Sequence, residues 1–98
     1  MESKIEKLSG FASRYFNLNE TSLYSGNTDN TSSLARYILW YYLHKECEVS
    51  AGVLAKEFFR QRRAIFRGIS KLDWMINNQK MYRELYDKFV EEYKKATP

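Results

Sequence analysis

Apolar positions recur along this chain with a helical period, and nowhere do they alternate for long enough to predict a strand. Ile5, Leu8, Phe11 or Ala12, Tyr15 and Phe16 predict a first helix over about 2–16. Leu18 to Tyr24 predicts a short helical turn with Thr21 or Ser22 near its start. Ser25–Thr31, "SGNTDNT", is small and polar with no hydrophobe to bury, and predicts the one real loop. From about Ser32 to Lys45 the chain is apolar nearly all round, through Leu34, Ile38, Leu39, Trp40, Tyr41, Tyr42 and Leu43. That pattern predicts a helix at the centre of the core.

The second half is more sharply two-faced. Ser50 is a good N-cap for a short helix through Glu57, with Val53 and Leu54 expected to face inward. Phe58–Gln61 makes a break that contains neither glycine nor proline. From about Arg62, Ile65, Ile69, Leu72 and Ile76 form a helix stripe at i, i+4, i+7 and i+11. A last helix over about 79–95 is expected to bury Tyr82, Leu85, Tyr86, Phe89 and Tyr93. The expectation is a compact all-α single domain over 1–98, of five or six helices. A helix-turn-helix candidate occupies about 50–77.

Composition agrees with a packed domain: 44% of the residues are hydrophobic and 16% aromatic, too many for a disordered chain. The longest apolar run, Tyr37–Leu43, is far short of the roughly 20 residues a membrane span needs. A single cysteine, Cys47, allows no internal disulfide, and no secretory leader is apparent, so a cytoplasmic location is expected.

Charge changes the picture more. The formal net charge is +4, yet residues 60–71 hold Arg60, Arg62, Arg63, Arg67 and Lys71 and no acid. That segment carries +5, so the rest of the chain is close to neutral at −1. A helix N-terminus ordinarily favours acids, and crowding it with arginines costs stability unless an anion is bound there. With Ile65, Ile69, Leu72 and Ile76 inward, Arg63, Phe66, Arg67, Ser70 and Lys71 fall toward the outer faces. Arg60, Gln61 and Arg62 occupy the break and the first turn. Guanidinium groups so placed clamp phosphates or donate two hydrogen bonds to a guanine edge in the major groove. Ser70 and Gln61 add polar reach, and Phe66 either touches a thymine methyl group or packs on the neighbouring helix.

With these residues in view, the chain resembles the C-terminal DNA-binding domain of the bacterial replication initiator DnaA. That is a helical domain with a helix-turn-helix related to that of the Trp repressor. "ARYILWYYL" (Ala35–Leu43) is similar to that family's A-R-Q-I-A-M-Y-L helix, with Arg36, Ile38 and Tyr41 on the pattern. "YFNLNETSL" (Tyr15–Leu23) resembles its first helix and the turn that follows. Ser50, Leu54 and Phe58 match S-x-x-x-I-G-x-x-F, and "GISKL" (Gly68–Leu72) matches the end of its recognition helix. The resemblance implies a helix-turn-helix that binds double-stranded DNA, with Arg36 and Ser50 joining the contacts to its backbone.

The departures are informative too. The family signature G-R-D-H-[ST]-T-V is replaced by "RQRRAIF" (Arg60–Phe66), so the family's usual box should not be the sequence read. Its basic loop is here the uncharged-to-acidic "SGNTDNT", and no G-x-x-x-x-G-K-[ST] nucleotide-binding motif is present.

Little other chemistry is suggested. His44, the one histidine, is expected at a helix end or on the surface, and Cys47 has no companion base or ligand. No metal cluster and no catalytic constellation can be assembled, so neither enzyme activity nor a cofactor is expected. Trp40, Tyr41 and Tyr42 are consecutive, and either pack in the core or form a homodimer interface suited to paired half-sites. Two functions fit. One is a non-catalytic protein binding double-stranded DNA in a replication or regulatory role. The other is an interaction module whose basic patch docks an acidic protein of a replication or mobile-element machine.

Overall fold

The computed structural model describes residues 4–24 and 30–96. Among them stand six helices: α1 (Lys4–Tyr15), α2 (Glu20–Tyr24), α3 (Asn30–Lys45), α4 (Ala51–Glu57), α5 (Arg62–Asn78) and α6 (Lys80–Ala96). No strand occurs among the described residues. The all-helical expectation therefore holds, at the upper end of the expected helix number. α3 starts two residues early, absorbing Asn30 and Thr31 from the expected loop; the rest of that loop, 25–29, lies outside the described residues.

Helix ends are set by local chemistry. Ser50 Oγ accepts from the Val53 amide at 3.2 Å, the expected N-cap of α4. α1 closes on a left-handed Asn17, with Leu18 N–H donating to Ser13 O and Asn17 N–H to Arg14 O. These paired bonds satisfy carbonyls that the helix itself leaves unpaired, and asparagine tolerates the left-handed conformation. α4 closes in the same way through Arg60 N–H to Ala55 O, but its left-handed residue is Phe59.

The core is one contiguous set of side chains with α3 at its centre. Ala35, Ile38, Leu39 and Leu43 are fully buried there, as the all-round apolar pattern predicted. α3 packs on α1, α2 and α5, and α5 in turn on α4 and α6. The α3–α5 crossing depends on Gly68. A β-carbon there would stand 2.7 Å from Trp40 Cε3 and 2.8 Å from Tyr37 Cδ1, so only glycine lets the helices approach this closely. α1 and α6 meet through aromatic rings, with Phe11 and Tyr15 edge-on to Phe89 at 5.5 and 5.3 Å between centroids. The radius of gyration is 12.4 Å. A folded chain of this length is expected at about 12–13 Å, so the helices are drawn together as tightly as one core allows.

Several expected positions are corrected. Val53 is 47% exposed, because on so short a helix Ala51, Leu54 and the capping Phe58 already fill the inward face. In the last helix Tyr86 and Phe89 are buried, whereas Tyr82, Leu85 and Tyr93 are half-buried at the margin. Trp40 and Tyr42 are buried within the chain and Tyr41 is half-buried. Within the chain Trp40 packs on Gly68, Tyr41 on Tyr86 and Tyr42 on Tyr93.

Candidate nucleic-acid interface

The α4–turn–α5 segment is mounted on the core by Phe58. Its ring has no exposed surface, stacks on Tyr24 at 4.8 Å and meets Trp40 edge-on. Directly after it the chain turns through the left-handed Phe59 and enters α5 at Arg62. Gln61 is the N-cap residue of α5, but its side chain makes no cap bond; its Oε1 accepts from Arg63 Nη2 at 3.2 Å. The amides of the first turn are thus not closed by that side chain, and no acid lies in the turn.

Of the predicted contact residues, α5 brings together most. Ile65, Gly68, Ile69 and Leu72 are buried on its inner face, while Arg62, Arg63, Phe66, Arg67, Ser70 and Lys71 are exposed. Arg63, Arg67 and Ser70 lie along the line farthest from the core, at i, i+4 and i+7. Arg62 folds back over the first turn of α4: a β-carbon on Gly52 would be 3.3 Å from its Nη2. Lys71 stands over the Tyr37 ring at 5.8 Å from the centroid, a cation–π contact tying it to α3. Arg60 is half-buried at the turn. Phe66 is 47% exposed with its edge toward His44, so it packs on a neighbour and still offers half its surface.

Among the described residues none of Arg62, Arg63, Arg67 and Lys71 takes part in a salt bridge. On α6, by contrast, Lys80 pairs with Glu84 and Lys95 with Glu91. The one acid of α5, Asp73, is turned toward α3, where the Tyr41 hydroxyl donates to its Oδ1 at 3.3 Å. The outer face of α5 is therefore cationic without internal neutralisation.

Arg36 does not belong to this face, contrary to expectation. It is 5% exposed, and its guanidinium donates to Ser22 O at 3.0 Å and Ser33 Oγ at 3.2 Å. It fastens α2 to the first turns of α3, which is a structural role. Ser50 is exposed and its oxygen serves the α4 cap, which leaves only its hydroxyl hydrogen to offer a phosphate.

Two residues escaped the sequence reading. Trp74 is 57% exposed and continues the Arg63–Arg67–Ser70 line at i+11, about 16 Å along the helix. The spacing alone was enough to place it there. Phe59 is 82% exposed, and nothing in the local sequence distinguishes it from its buried neighbour Phe58.

The remaining chemistry is sparse. His44 Nδ1 lies 2.9 Å from Val49 O; a carbonyl only accepts, so Nδ1 carries the proton and the ring braces the α3–α4 connection. Burial raises the Cys47 thiol above its ordinary value, which suppresses the reactive thiolate. No cluster of three potential metal ligands occurs among the described residues, and none of their helices is long and apolar enough to cross a membrane. A scan of known protein families finds no family model that matches this chain, and no curated protein matches it either.

Proposed function

We propose that this chain is a non-catalytic double-stranded DNA-binding protein. In this reading the α4–turn–α5 unit is a helix-turn-helix and α5 lies in the major groove with Arg63, Arg67 and Ser70 toward base edges. Arg60, Gln61, Arg62, Lys71 and the Ser50 hydroxyl meet the backbone around it. The observation that carries the reading is the row of exposed cations on one helix with no acid paired to them. Such a row is destabilising in the free chain and favourable beside phosphates. The resemblance to the DnaA DNA-binding domain points the same way, and the altered turn sequence assigns a different DNA site. Its role is that of a replication or transcription accessory factor.

Binding to random-sequence duplexes at increasing salt tests it. Between about 50 and 200 mM salt the affinity should fall by roughly a hundredfold, as expected when about four phosphates are neutralised. Selection from a random pool should then return a preferred site. If no duplex binds, or if affinity ignores salt, the arginine row serves an acidic protein instead. A pull-down whose partners survive nuclease treatment would identify it.

A further inference from the structure

Phe59 is costly twice over. It occupies the left-handed position that closes α4, at φ 56°, where a β-carbon is sterically penalised and glycine is the usual residue. Its ring is also 82% exposed, so it gains no packing in return. The core does not need it, because Phe58 beside it already fills that role. Strain and exposure kept together at one residue point to a contact made outside the chain.

Its surroundings indicate the kind of contact. The exposed large hydrophobic side chains among the described residues are Val53, Phe59, Phe66, Trp74 and Met81. All of them fall between residues 53 and 81, the stretch that also holds the cationic surplus, and α1 to α3 have none. A partner bound only through phosphates has no use for aromatic rings. A nucleic acid with accessible base faces does, since any base stacks on an aromatic side chain while arginines hold the backbone.

We infer that Phe59 is a base-stacking residue, and that the preferred DNA has unstacked bases beside the duplex that α5 grips. This rests on the DNA-binding reading and narrows it from any duplex to one locally opened or distorted.

Two duplexes of equal length and flanking sequence, one fully paired and one with a short central bubble, test this by fluorescence anisotropy. The wild-type chain should bind the bubble more tightly. Phe59→Gly should lose about tenfold on the bubble, the scale of one base–aromatic stack, and little on the paired duplex. The same variant should melt about 5 °C higher, because the backbone strain is relieved. Phe59→Asn, which also tolerates the left-handed turn, should repeat both effects, and Phe59→Trp should keep the affinity.

Salt-dependent binding of the paired duplex, with unchanged bubble affinity in Phe59→Gly, overturns the stacking role and leaves the DNA-binding reading standing. So does equal wild-type affinity for the two duplexes. A wild-type chain that binds neither overturns both and leaves an acidic protein as the partner of this face.

Discussion

Arg36 and Arg63 are separated by burial, not by residue type, and substitution should tell them apart. Arg36→Ala removes a buried guanidinium and leaves Ser22 O without the charged donor it now has. Hydrogen bonds to charged groups are worth about 1.5–3 kcal/mol each, so the change should destabilise the fold by about 3 kcal/mol, read from urea or thermal unfolding. Any loss of DNA affinity should follow the loss of folded protein. Arg63→Ala and Arg67→Ala remove exposed side chains, and the melting temperature should hardly move. On the preferred DNA site each should cost about 1–3 kcal/mol and relax the sequence preference. An equal loss on specific and random DNA would reduce α5 to a phosphate clamp. A sharp fall in melting temperature would end the groove-reading model.

At the scale of elements, the placing of the arginine row depends on a crossing on the inner face of the same helix. α5 is held against α3 at Gly68, where the Trp40 and Tyr37 rings occupy the space a β-carbon would take. Both rings are rigid and Trp40 is itself buried, so neither can swing aside as a lysine tail would. Gly68→Ala should therefore destabilise the protein by about 2 kcal/mol or more, against the usual gain from replacing a mid-helix glycine. The tilt of α5, and with it the Arg63–Arg67–Ser70–Trp74 line, should shift in the same variant. Comparing the unfolding free energy of Gly68→Ala with that of Ser70→Ala, an exposed site on the same helix, isolates the effect. A neutral Gly68→Ala would mean that the crossing is looser than the rings imply.

The whole molecule responds to alkali through its buried phenols. Burial raises the pKa of Tyr24, Tyr41, Tyr42 and Tyr86 above the ordinary value of about 10. Beside Tyr41 the Asp73 carboxylate adds to the effect. Tyr86 is raised furthest, and its hydroxyl is buried with no hydrogen-bond partner among the described residues. A phenol held neutral by the fold keeps its proton more tightly folded than unfolded. Its contribution is therefore full below about pH 10 and lost as pH climbs toward the folded value. Thermal stability should decline above about pH 10, and the tyrosinate absorbance of these four phenols should appear together with unfolding. Complete ionisation before any loss of helix would contradict this packing.

The helix pattern was legible because helical period and capping are local: the Ile65–Ile69–Leu72–Ile76 stripe and the Ser50 cap need no knowledge of what they pack on. So was the cationic surplus of residues 60–71, since charge is counted along the chain. What the sequence could not decide was how neighbours with like properties divide between inside and outside. Phe58 and Phe59 share a residue type, yet one backbone rotation into the left-handed region sends one ring to the core and the other to solvent. Arg36 matched a family arginine, but its burial follows from α2 folding over it, a contact fourteen positions distant. Val53 was likewise settled by how much of its short helix the neighbours cover. Period and charge are properties of the chain, whereas exposure belongs to surfaces in contact, and those exist only once the helices have packed.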